Sequence, residues 1–177
     1  MGADLFESYV EAIISAMLIG LVVLGGGKYI SFPMIIAGLG ILASIVGILM
    51  VKGKKPATAM NTGTFISAGL IIVLSLLASH YMLRSLGPFY ATTTGLVAGL
   101  IIGLTTQYFT SYDYKPVRSL AEDAKTGPAT VIISGMSLGM MSTVIPIVVV
   151  AIAIMLAYYF MSPFAWPPSR ITAAYTA

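Results

Sequence analysis

The stretch Asp4-Leu-Phe-Glu-Ser-Tyr-Val-Glu-Ala-Ile-Ile-Ser-Ala-Met-Leu-Ile-Gly-Leu-Val-Val-Leu24 decides the fold and poses the functional question together. Its length matches the about 20 residues of apolar helix that cross a bilayer's hydrocarbon core. Yet it carries three carboxylates, Asp4, Glu7 and Glu11. At about 100° per helical residue these fall near 0°, 300° and 340°, so they share one face, and Ser15 continues it at about 20°. The three span only roughly 10 Å along the helix axis. A carboxylate inside a membrane helix costs several kcal/mol unless it is paired, hydrated or protonated. The stripe therefore points to an ion or proton site, or to cationic partners on another helix. The plainer alternative is that the first turn lies in water beside the membrane.

The rest of the chain supports a membrane reading. Apolar residues make up 58% of the sequence and charged residues only 8%, more apolar surface than a water-soluble domain of this length could bury. The expected fold class is all-α, a polytopic membrane helical bundle of about five transmembrane helices. With no cysteine, disulfides and thiolate metal sites are excluded, and a single histidine excludes a His-rich metal cluster. The first run opens with acids and lacks a basic n-region, so it does not read as a cleavable signal.

Five apolar runs follow one another, at about 4–24, 32–51, 61–83, 90–109 and 128–160. Gly25-Gly26-Gly27 ends the first, because no helix keeps three glycines willingly. Pro33 suits the first turn of the second span, and Lys52-Gly-Lys-Lys-Pro56 stops it. The third ends near His80, Tyr81 and Arg84, and Gly87-Pro88 makes the next turn. Residues 110–127 form a polar loop, and Thr126-Gly127-Pro128 is a good start for the last span, which Pro146 should kink. The tail, 161–177, with Trp166 and Tyr175, reads as external and interfacial.

Basic residues orient the bundle. Loops on the side of the N-terminus, 52–60 and 110–127, hold Lys52, Lys54, Lys55, Lys115, Arg118 and Lys125; the other side holds Lys28, Arg84 and Arg170. This asymmetry places the N-terminus in the cytoplasm and the C-terminus outside. The same positive balance sits in short loops and gives no sign of nucleic-acid binding. No lysine or arginine falls within a span, so the carboxylate stripe has no fixed cation inside these helices. Its partner must be a bound ion, a proton, water or another polypeptide segment.

The remaining spans read as packing elements. Gly95, Gly99 and Gly103 form one small-xxx-small ridge, and Gly135, Gly139 and Thr143 another, allowing helix backbones to approach closely in lipid. Within the polar loop, Val117, Leu120, Ala121 and Ala124 recur at helical spacing. Ser119 and Glu122 have capping-box spacing, but Ser119 falls inside that apolar pattern. Asp113, Glu122 and Asp123 could gather a divalent cation, though solvated surface charge is the simpler reading. No P-loop, no Ser/His/Asp arrangement and no dense water-facing carboxylate cluster is present.

Three stretches carry a resemblance. Gly2-Ala-Asp-Leu-Phe-Glu-Ser-Tyr9 resembles the start of the sixth transmembrane helix of the membrane-bound, ion-pumping pyrophosphatases. Tyr108-Phe-Thr-Ser with Lys115-Pro-Val-Arg118 agrees in order and spacing. So does Thr126-Gly-Pro-Ala-Thr130, continuing through Gly135, Ser142, Thr143 and Pro146. The resemblance covers nearly all of the chain up to about Met161, corresponding to the sixth to tenth helices of a sixteen-helix protein. It implies that Asp4, Glu7 and Ser8 belong to an ion gate, with Glu11 at the alternative gate position one turn later. Both positions are acidic here, which leaves proton and sodium equally open as cargo. It further implies an inner-ring first helix, four outer-ring helices, and a homodimer in the complete enzyme.

The family's pyrophosphate- and magnesium-binding aspartates lie before Gly2 and far downstream, as do the basic residues that partner the gate. No catalytic residue and no metal ligand is therefore expected in this chain. Magnesium would belong to the complete enzyme, with sodium or potassium as further candidate ions. Val131 stands where the family usually has Asn, and Met141 where it often has Glu. Met1 lies where an internal methionine would be expected, which suggests a fragment or a misplaced start.

The expectation is a partial pyrophosphate-energised ion pump, a gate helix with outer-ring scaffold, inactive alone. It would sit as a multi-pass protein in the cell membrane, in contact with lipid and with the missing helices of the same pump. The alternative is a small non-enzymatic five-helix transporter or membrane assembly partner.

Overall fold

The computed structural model describes residues 2–22, 27–51 and 56–161. Expectations resting on Gly25 and Gly26, on Lys52, Lys54 and Lys55, and on the tail with Trp166 and Tyr175 lie outside the described residues. Among those described there is no strand, and five helices are long and apolar enough to cross a membrane. In lipid a spanning backbone must satisfy its own polar groups, and a helix does so within one segment. The side chains agree: Leu5, Phe6, Ile48, Met140 and Met155 are each at least 70% exposed, tolerable against acyl chains but not water.

The described residues divide into two units, one up to residue 92 with 160–161, the other 93–159. The first holds α1 (Gly2–Val22), α2 (Lys28–Leu49), α3 (Pro56–Ala78), a π-helical turn (Ser79–Leu83) and the first residues of α4 (Gly87–Thr110). Helix α2 contacts both α1 and α3. It begins earlier than Pro33 suggests. Gly27 makes the break with φ 64°, and Pro33 sits inside the helix, more than a turn from its start. Proline has no amide hydrogen, so the Tyr29 carbonyl four residues before Pro33 loses its helical donor. That carbonyl turns to α1: a Cβ built on Gly20 would lie 2.5 Å from the Tyr29 oxygen. Only a glycine admits a backbone carbonyl so close.

The contact between α2 and α3 uses the same device. A Cβ on Gly47 would meet the Gly63 carbonyl at 2.8 Å and the Ser67 Cβ at 3.1 Å, while Gly40 faces Ile71. Gly63, Ser67, Ile71 and Ser75 follow one another at four-residue spacing along α3, and Ser79 continues the series at the start of the π-helical turn. Ser75 and Ser79 are fully buried. Their hydroxyls are satisfied by carbonyls: Ser75 donates to Ile72 at 2.9 Å and Ser79 to Ser85 at 2.7 Å. The π-helical turn ends at Arg84, whose φ of 49° and ψ of 33° are left-handed. Gly87 and Pro88 then lie in the first turn of α4, buried, instead of forming a separate turn. Proline's locked φ and missing donor suit a helix start.

The second unit holds most of α4, then α5 (Lys115–Asp123) and α6 (Pro128–Met161) up to Tyr159. Helix α6 starts at Pro128 as its sequence suggests and runs unbroken through Pro146. Its 34 residues reach roughly 50 Å, well beyond a hydrocarbon core of about 30 Å. Ahead of it, Thr126 Oγ1 donates to the Asp123 carbonyl at 2.6 Å, and Gly127 adopts φ 138°. Ser119 lies in the middle of α5, whose N-cap is Tyr114 without a side-chain cap, so the capping box does not form. Within this unit a Cβ on Gly95, Gly99, Gly103 or Gly139 would meet nothing within 4 Å, and one on Gly135 would meet the Leu120 Cδ1 at 3.9 Å.

Candidate functional site

Helix α1 is continuous from Gly2, so Asp4, Glu7 and Glu11 do share a face, and Ser8 joins them at about 40°. All four side chains are exposed. What turns them outward is the packing of the opposite side. Tyr9, Ile13, Ala16 and Gly20 fall between about 120° and 180°, and this is the edge that meets α2. The Tyr9 hydroxyl donates to the Ala37 carbonyl at 2.7 Å. Gly20 closes on Tyr29 eleven residues further along α1. Two contacts on one edge, about three turns apart, fix the rotation of α1 about its axis. The carboxylates consequently point away from α2.

No described side chain hydrogen bonds to or pairs with Asp4, Glu7 or Glu11. Among the described residues, no group of three or more His, Asp or Glu side chains is placed to hold a metal ion. Asp113, Glu122 and Asp123 accordingly do not gather into such a group. A cleft of about 300 Å³ does lie between α1 and α2, lined by Tyr9, Ile13, Ala16, Pro33 and Ala37 among others. It is largely apolar and its α1 residues lie on the far side of that helix from the acids; the polar side chains lining it are the Tyr9 phenol and the Thr92 hydroxyl, each already donating to a carbonyl.

The acidic face is legible in the sequence; the edge that opposes it is not. Pro33 four residues after Tyr29 was the available signal, since it marks a carbonyl in need of company. Nothing local announced that Gly20 would supply it.

A family model described as inorganic H+ pyrophosphatase matches residues 1–172. The chain belongs to this family. A protein of Clostridium tetani, provisionally named a K(+)-stimulated pyrophosphate-energized sodium pump, is 45% identical over 91% of this chain and 24% of its own length. The K(+)-insensitive pyrophosphate-energized proton pump 2 of Moorella thermoacetica is 43% identical over 89% of this chain and 25% of its length. A K(+)-insensitive pyrophosphate-energized proton pump of Methanosarcina mazei is 37% identical, covering 94% of this chain and 26% of its own. The chain thus spans about a quarter of the length of these relatives. Relatives named for sodium and for protons stand at nearly equal identity, so overall similarity favours neither cargo. Membership of the family and five bilayer-length helices make this a multi-pass membrane protein.

Proposed function

We propose that this chain supplies the ion-gate helix and a surrounding scaffold to a pyrophosphate-energised ion pump. Pyrophosphate would be hydrolysed on magnesium held by segments other than the residues described here. The observation that carries the reading is the outward acidic stripe. Asp4, Glu7, Ser8 and Glu11 lie on a bilayer-length helix whose other edge is already used by α2. A proton or sodium ion would pass along that face, with cationic side chains from further helices of the pump opposite it. Gly95, Gly99, Gly103, Gly135 and Gly139 would be packing positions for those helices or for the second subunit of a homodimer, which their open surroundings leave room for.

The loop charges support a cytoplasmic N-terminus, cytoplasmic loops at 52–60 and 110–127, and an external tail at 161–177. The purified chain alone should show no magnesium-dependent release of phosphate from pyrophosphate. In a complete pump carrying this segment, Glu7→Gln and Glu11→Gln, made singly and together, should abolish or sharply reduce ion transport into vesicles. Unchanged transport in all three variants would remove the gate assignment; hydrolysis by the chain alone would remove the claim that the hydrolytic centre lies elsewhere.

A further inference from the structure

Helix α5 is short, strongly two-sided and tied to the membrane at both ends. It follows the bilayer-length α4 after residues 111–114 and precedes α6 after residues 124–127. A four-residue connection reaches at most roughly 14 Å, so α5 stays close to the ends of the two membrane-crossing helices that flank it. Around its axis, Pro116, Val117, Leu120, Ala121 and Ala124 occupy about 100° to 240°. Lys115, Ser119 and Glu122 lie opposite; Arg118 and Lys125 share one flank near 280–300°, and Asp123 sits on the other near 80°. The apolar side has a direction. Leu120 lies 3.9 Å from a Cβ position on Gly135, which is about two turns into α6. Leu120 on that side thus turns toward α6, and Pro116 and Val117 are half-buried, while Arg118, Ser119 and Lys125 are exposed, as are Ala121 and Ala124.

Tyrosines complete the pattern. Tyr108, Tyr112 and Tyr114 are all exposed, and the Tyr108 and Tyr114 rings lie 5.3 Å apart. Exposed tyrosines at the end of a span are the usual mark of the headgroup layer. Arg118 Nε donates to the Tyr112 carbonyl at 3.2 Å, which ties the basic flank of α5 to this aromatic cluster.

We infer that α5 docks in the headgroup layer of an anionic phospholipid membrane. Val117, Leu120 and Ala124 rest on the acyl boundary, and Arg118 and Lys125 extend to lipid phosphates. Long basic side chains at the flank of an amphipathic helix can bury their stems and keep their charge at the headgroups. The inference depends on the membrane crossings alone and not on the cargo ion or the gate.

The chain contains no cysteine, so single spin labels at Val117→Cys and Ser119→Cys can be placed in the full 177-residue protein in vesicles. Phosphatidylcholine vesicles with and without phosphatidylglycerol are the comparison. The Val117 label should be relaxed by oxygen dissolved in the acyl region, and the Ser119 label by a water-soluble nickel chelate. Phosphatidylglycerol should move the Val117 label deeper. Lys125→Gln should lower the ratio of docked to undocked label roughly fivefold, and Arg118→Gln with Lys125→Gln further still. Because Arg118 also holds the Tyr112 carbonyl, Lys125→Gln alone is the cleaner variant. A Val117 label open to the nickel chelate in both membranes would overturn the inference, as would equal depth with and without phosphatidylglycerol. So would shielding from both reagents, which would mean that protein covers this side of α5.

Discussion

Pro33 lacks the amide hydrogen that the Tyr29 carbonyl would accept, and Gly20 lacks the Cβ that would collide with it. Two absences on different helices make one contact. A Cα–H of Gly20 in the place of that Cβ can serve the oxygen as a weak donor, which matters more where no water competes. Gly20→Ala should push α1 from α2 and cost about 1–3 kcal/mol. Gly38→Ala, where a Cβ would meet nothing within 4 Å, should stay within about 1 kcal/mol of the parent and favour the folded state. Thermal unfolding of both variants in the same detergent tests the pair. The acidic face was legible because periodicity is a local property: any helix through Asp4 and Glu11 aligns them. The edge bound to α2 was not. Helix α1 is apolar nearly all round, and Leu5 and Phe6, at 70% exposure, are as hydrophobic as the residues it buries.

The third helix shows what an element carries beyond its length. Its end could be placed near Leu83 from hydropathy, since a run of apolar residues must stop where polar ones begin. The π-helical turn could not, because an inserted residue leaves no mark on composition. There the Ser79 hydroxyl stands in for a backbone donor and holds the Ser85 carbonyl. Ser79→Ala would leave that part-buried carbonyl without this donor and should destabilise the protein by about 1–2 kcal/mol. Arg84 carries the strain of the same turn. A left-handed backbone costs a residue with a Cβ about 1–2 kcal/mol, so Arg84→Gly should be neutral to stabilising by up to about 1 kcal/mol despite its freer unfolded chain. Arg84→Val should be destabilising, because a β-branched residue fits that region poorly. Chemical unfolding in mixed micelles would rank the three. The glycine ridges give the complementary lesson. Spacing at Gly95, Gly99 and Gly103 permits a close approach but does not name the neighbour. The approaches seen in this chain instead use single glycines far apart in sequence, Gly20, Gly47 and Gly63.

At the scale of the molecule, orientation is the property most directly open to test. Between Arg84 and Asp113 lies one bilayer-length helix, α4, so the two positions should face opposite compartments. In inverted-minus-intact comparisons on cells, a membrane-impermeant thiol reagent should label Arg84→Cys from outside and Asp113→Cys only after permeabilisation. The reverse pattern would invert the assigned topology; labelling of both from one side would take α4 out of the bilayer. The fold class was legible because crossing a membrane imposes a minimum length that any single run either meets or fails. Partnership between segments carries no such rule. The outward turn of Asp4, Glu7 and Glu11 then has a consequence for the life of the polypeptide before assembly. Left uncovered in oil, those acids would drag water and lipid headgroups toward the bilayer interior. On the proposed function, a newly made chain in that state would be a leak and a target for cellular quality control until other helices of the pump covered that face.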